Sequence, residues 1–232
     1  MSLISFEELT GRSESHLVAW DNGILVHRDV REPLLQLREH ARAEGLEIAV
    51  ASGYRGFDRQ LSIWRDKVAG RRPLYGNDGQ LLSRESMSTA DVLRAILRWS
   101  ALPGLSRHHW GTDFDIFDAG AVESDYRLQL TLDEYTEGGP FAALSEWLQA
   151  AAAELGFFRP YAEDLGGVAP EPWHVSYRPL ADEFARLVDF EIFQRLLAEN
   201  CWPLGEEIRR CADDIYRRYV CNLPAEDGTF SS

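Results

Sequence analysis

The chain has 232 residues, enough for one domain of ordinary size with an appendage and for a sizeable buried core. Hydrophobic residues make up 45% of it and seven are Trp, which excludes a disordered chain. Its formal net charge of -14 repels phosphate backbones and the anionic face of a membrane, so neither nucleic acid nor a membrane is expected as a partner.

No apolar run reaches the roughly 18 residues that a membrane-spanning helix needs. The N-terminus has no basic segment followed by an apolar one. A cytoplasmic location is therefore expected, although a chain trimmed of an export signal reads the same. Three cysteines, Cys201, Cys211 and Cys221, lie near the C-terminus without any C-x-x-C spacing. They are expected to be buried thiols in a reducing compartment rather than a disulfide framework.

Residues 32–45 predict a helix, with Pro33 near its start and Gly45 as its stop. The apolar run 46–52 predicts a buried strand. "GYRGF" then turns the chain into a helix over 58–70, and residues 71–84 form a turn-rich loop. A helix over 88–100 is capped by Ser88 or Thr89. Polar and apolar residues alternate over 111–119 as in a strand, a helix follows over 140–157, and "WHVSY" (173–177) predicts a short strand. From 181 the pattern is helical, with a break at Trp202–Pro203 and a tail after Leu223 that is expected to fray. The expectation is an α+β core over 1–180 and a C-terminal helical appendage over 181–232.

Chemistry concentrates in "SRHHWGTDFD" (106–115). His108 and Asp115 are seven apart, too far to lie side by side in one strand. They suit a loop that turns at Gly111 into a strand from which Asp115 points inward. Taken alone the pair fits two metal ligands or a hydrogen-bonded structural pair. His109 would point the other way in an extended backbone. Asp113 shares the Asp115 face and fits a hydrogen-bonded group, a support to a ligand, or a weak extra ligand. In "EPWH" (171–174), Pro172 excludes the H-E-x-x-H helix, but Glu171 and His174 on a turn could aim a carboxylate and an imidazole at one point. Arg55 follows a strand in "SGYR" (52–55), where it could reach into a cleft or form a surface ion pair.

Together and in this order, "SGYRGFDRQ", "SRHHWGTDFD" and "EPWH" resemble the zinc D-alanyl-D-alanine carboxypeptidases of the VanY-like type. These are related to L,D-carboxypeptidases and D-Ala-D-Ala dipeptidases. The family pattern is S-x-H-x-x-G-x-A-x-D followed by E-x-W-H. The resemblance covers roughly residues 20–180. It implies a small antiparallel sheet with flanking helices, and a Zn2+ ion held by His108, Asp115 and His174. It implies Glu171 as the catalytic base and Arg55 as both the cation that steadies the polarised carbonyl and a substrate-binding residue, whose planar fork would receive the substrate's free carboxylate unless it serves the oxyanion alone. Gln60 and Ser106 would contact substrate, and Trp173 would wall the pocket. The implied substrate is a peptidoglycan-derived peptide that loses its terminal D-alanine. Tetrapeptides or free D-Ala-D-Ala are the rival substrates, and a non-catalytic zinc-binding interaction module is the rival from another class. Asp113 replaces the family's usual Ala, and the added charge is expected to raise the basicity of a zinc-bound water and to alter substrate choice.

Overall fold

The computed structural model describes residues 4–222. The tail expected to fray after Leu223 lies outside them. Strands β1 (Leu17–Ala19) and β2 (Leu25–His27) form a two-stranded antiparallel hairpin. Strands β3 (Ile48–Ser52), β4 (Asp113–Asp118), β5 (Phe157–Phe158) and β6 (His174–Tyr177) form one antiparallel sheet in the order β3-β4-β6-β5. The α+β class and the small antiparallel sheet are as the sequence implied.

Strand alternation divides this sheet into two chemically different faces. Phe114, Ile116 and Val175 point into a core that also holds Leu34, Leu37 and Ala41 of helix α2 (Arg31–Ala43). Phe141, Leu144 and Leu148, at and after the start of helix α6 (Ala142–Ala151), close the same core. Asp113, Asp115, His174 and Ser176 take the alternate positions and are also buried. The register places Asp115 opposite both His174 on β6 and Ser52 on β3. A register shift between Val50 and Ser52 marks the end of β3, just before the "GYR" segment.

A second core joins helices α3 (Phe57–Val68) and α4 (Thr89–Trp99) to the C-terminal helices α8 (Phe190–Glu199), α9 (Gly205–Arg210) and α10 (Ala212–Ile215). Phe57, Trp64 and Ile96 meet Phe193, Leu196, Trp202 and Ile208 there. Ser88 caps α4 in a reciprocal box with Asp91, as its sequence signature predicts. Helix α7 (Arg178–Leu187) packs Ala181 and Phe184 against Trp110 and against Leu9 of the short helix α1 (Phe6–Leu9), while Tyr135 of the short helix α5 (Leu132–Tyr135) joins the first core.

Several local expectations are corrected. The helix expected from 181 to 200 is two helices, because Asp189 caps a new start with a bond from Ile192 N–H. Cys201 and Cys221 are exposed and Cys211 is half-buried, so the cysteines are not the buried thiols expected. The loop 71–84 carries one antiparallel bridge, Tyr75 to Leu81. Among the described residues, no helix is long and apolar enough to cross a membrane.

Candidate active site

Three backbone-level ties bring the end of β3 to the 3-10 turn Arg107–Trp110. Arg55 N–H donates to the His108 carbonyl at 3.0 Å. The His108 ring donates from Nδ1 to the Gly53 carbonyl at 2.9 Å. His109 Nδ1 donates to the Arg55 carbonyl. Gly53 is required here, since a Cβ would lie 2.8 Å from the Leu25 carbonyl oxygen. Gly111 ends the turn with φ 69, the left-handed conformation expected of it, and lets the chain enter β4.

"EPWH" forms a turn closed by His174 N–H on the Glu171 carbonyl at 3.0 Å. That turn sets both side chains toward Asp115. His174 Nδ1 lies 3.4 Å from Asp115 Oδ1 and 3.4 Å from Glu171 Oε2, and His108 Nε2 lies 3.4 Å from Asp115 Oδ2. Donor atoms of His108, Asp115 and His174 all fall within 4.8 Å of one another, and all three residues are buried.

The donor chemistry fits a zinc ion. A carbonyl oxygen only accepts, so His108 carries its proton on Nδ1 and leaves Nε2 bare. His174 likewise gives its Nε2 proton to Asp113 Oδ1 at 3.0 Å and turns Nδ1 toward Asp115. Two bare imidazole nitrogens and a carboxylate oxygen would supply three ligands to such an ion. Without a metal the same atoms share protons. Burial opposes charge on His174, but its contacts with Asp113, Asp115 and Glu171 outweigh that and hold it well above the usual imidazole range. Burial likewise opposes charge on Asp115, and the two histidines hold it far below the usual carboxylate range.

Asp113 corrects one expectation. It is fully buried and does not line the cavity beside the three donors. Arg107 Nε donates to its Oδ1 at 2.7 Å, Thr112 Oγ1 donates to its Oδ2 at 2.7 Å, and Arg107 also reaches Ser176 Oγ at 2.8 Å. Its charge is therefore neutralised by Arg107 and directed at His174, behind the cavity wall. His109 points away as expected, but for another reason. The backbone is a 3-10 turn rather than extended, and the ring bridges the Arg55 carbonyl and Gly104 N–H. Burial pushes it down to about 3, so it stays neutral.

A cavity of about 480 Å³ opens beside the three donors, with Arg55, Ser106, Glu171 and Trp173 on its wall. Arg55 lies 3.9 Å from Asp115 and donates to Gln60 Oε1 at 3.1 Å and Ser52 Oγ at 3.3 Å. Gln60 is fully buried and does not line the cavity. Its amide donates to the Ala101 carbonyl at 2.7 Å, so it stands behind Arg55 rather than in contact with substrate. Trp173 packs against Tyr135 at a ring distance of 5.5 Å. The sequence reading missed Lys67, Arg107 and Tyr161, which also face this cavity. Tyr161 stacks edge-on to His174 at 5.1 Å. Lys67 alone carried a signal, since it follows Gln60 by seven positions on α3 and so shares its face.

A family model described as VanY, D-alanyl-D-alanine carboxypeptidase, matches residues 23–180. The chain belongs to this family. An Enterococcus faecalis protein named D-alanyl-D-alanine carboxypeptidase is 34% identical over 154 residues, 64% of this chain and 47% of that protein. A Haemophilus influenzae protein described only as uncharacterized is 44% identical over 79 residues, 33% of this chain and 60% of the other. In both matches the chain covers less than two thirds of the relative's length. A solved vancomycin resistance D,D-pentapeptidase VanY variant in complex with Zn(II) is 26% identical, with a TM-score of 0.50 over 71% of this chain and 81% of that one. VanYB in complex with D-Alanine-D-Alanine shares the fold at 24% identity, with a TM-score of 0.52 over 77% and 87%.

Proposed function

We propose that this VanY-family protein is a zinc-dependent carboxypeptidase that removes the terminal D-alanine from a peptidoglycan stem peptide. One observation carries the reading. Glu171 Oε2 stands 3.4 Å from Nδ1 of His174, while Arg55 lies 3.9 Å from Asp115 on the same cavity. A purely structural metal needs neither a base nor a cation beside it, which argues against the non-catalytic module. Zinc held by His108, Asp115 and His174 would act as a Lewis acid and lower the pKa of a bound water toward about 7. Glu171 is placed to accept a proton from an attacking water and would return it to the leaving amine. Arg55, fixed by Gln60 and Ser52, donates to the carbonyl oxygen as charge builds on it. Trp173 and Tyr161 wall the reacting groups from bulk water.

The VanYB relative solved with D-Alanine-D-Alanine supports a substrate of that chemistry. An L,D-carboxypeptidase and a D-Ala-D-Ala dipeptidase would use the same centre, so products decide between them. Zinc-loaded protein is incubated with a stem pentapeptide, a tetrapeptide and free D-Ala-D-Ala, and the products are weighed by mass spectrometry. Loss of one alanine from the pentapeptide is expected. Cleavage confined to the tetrapeptide or to the free dipeptide would move the protein to one of those activities. Intact peptides throughout would favour the binding module.

A further inference from the structure

Lys67 is half-buried, and a charge drawn out of water gains from a partner. Lys67 lines the active-site cavity near the end of α3 and has no ion pair with any described residue. Its Nζ donates to the Trp99 carbonyl at 3.2 Å. An ammonium has three donors, so two remain for a ligand. Burial pushes the amine down to about 8, opposed by Glu171 across the cavity and reinforced by Arg72 and Arg55. Asp78 and Asp133 also line the cavity, but neither pairs with it.

Arg55 is differently placed. Its guanidinium is already held by Gln60, Ser52 and Asp115 beside the metal donors. One cation is thus committed to the reacting end, and a second stands on the wall without a counter-charge. Arg72 lines the same cavity and adds to the positive potential there, in a chain of net charge -14.

We propose that Lys67 receives the free carboxylate of the peptide inside the cavity, leaving Arg55 to the carbonyl under attack. This rests on the hydrolytic reading for the position of the scissile bond, and it makes an anionic C-terminus part of what the site selects.

The test compares two N-acetylated D-Ala-D-Ala peptides that differ only in a free or an amidated C-terminus. Zinc-loaded parent protein should prefer the free acid in kcat/KM by about tenfold or more. Lys67→Met keeps the length of the side chain and removes its charge. The preference should then nearly vanish through a rise in KM for the acid alone, with zinc content and circular dichroism unchanged. Lys67→Arg should restore part of it. A Lys67→Met protein that keeps the parent's preference overturns the proposal. Calorimetry on zinc-loaded Glu171→Gln protein, with and without Lys67→Met, reads binding without turnover. If the parent cleaves neither peptide, the hydrolytic reading fails, and binding alone then decides the role of Lys67. An acid-over-amide difference abolished by Lys67→Met upholds it, and equal or undetectable binding of both peptides before that substitution overturns it.

Discussion

His174 donates from Nε2 to Asp113 at 3.0 Å while Nδ1 of the same ring faces Asp115 at 3.4 Å. Asp113 thus fixes both the tautomer and the angle of a candidate metal ligand, and Arg107 balances its charge. Asp113→Asn keeps the shape and should weaken zinc binding by roughly 10- to 100-fold, read by competition with a chelator. Asp113→Ala strands the buried Arg107 guanidinium and should cost about 3–5 kcal/mol of stability. Adding Arg107→Met should recover most of that stability and none of the zinc affinity. Equal zinc affinity in all these variants would show that the Asp113 contact does not orient the ring.

The adjacent histidines separate ligand from scaffold. His108→Ala should abolish stoichiometric zinc binding by elemental analysis. His109→Ala should retain zinc but lose about 2 kcal/mol or more, since it empties a fully buried site and orphans Gly104 N–H. Comparable zinc loss in both would place His109 among the ligands.

Glu171→Gln preserves volume but cannot accept a proton. Zinc should remain bound, and turnover should fall by about 10² to 10⁴, the usual range for general acid–base catalysis. A variant that turned over like the parent would make Glu171 a structural residue.

The candidate metal site was legible because its residues sit in two compact motifs whose turns are marked by Gly111 and Pro172. The role of Asp113 was legible only as one of three alternatives, a support to a ligand. Its partners are Arg107, six positions back, the adjacent Thr112, and His174 on the neighbouring strand, which only the β4–β6 register brings close. Lys67 was hidden for a similar reason. Helical spacing put it on the Gln60 face, but the 71–84 loop and residues 129–133 that close the cavity around it carry no periodicity. The β1–β2 hairpin escaped notice because each strand is three residues long, too short for alternation to register.

Acid should destabilise the fold through His16. Burial and the neighbouring His27 push its pKa down to about 4, against the opposing pull of Glu8 at 3.7 Å. The unfolded chain binds that proton near pH 6.5, so stability is full above this value and falls as pH drops toward 4. His16→Phe, beside Phe184, removes the titration. Between pH 8 and pH 5 the zinc-free variant should lose about 2 kcal/mol less than the zinc-free parent in urea unfolding. Parallel losses in the two proteins would show that His16 is not the group responsible.

The C-terminal helices bear on the site through α3. Phe193 and Leu196 of α8 and Trp202 lie in one core with Phe57 and Trp64, and the Trp64 indole donates to the Pro203 carbonyl at 3.0 Å. Gln60 lies on α3 between Phe57 and Trp64 and holds Arg55. Phe193→Ala opens a fully buried site and should cost about 3–5 kcal/mol. A chain ending at Val188 loses the whole cover, exposing Phe57, Trp64 and Ile96 together, and should be insoluble or unfolded by circular dichroism. The point substitution distinguishes support from mere stability. If α8 holds α3 in register, Phe193→Ala protein kept folded at low temperature should lose turnover through a loosened Arg55, with zinc still bound. Full turnover under those conditions would show that α3 keeps its place without α8.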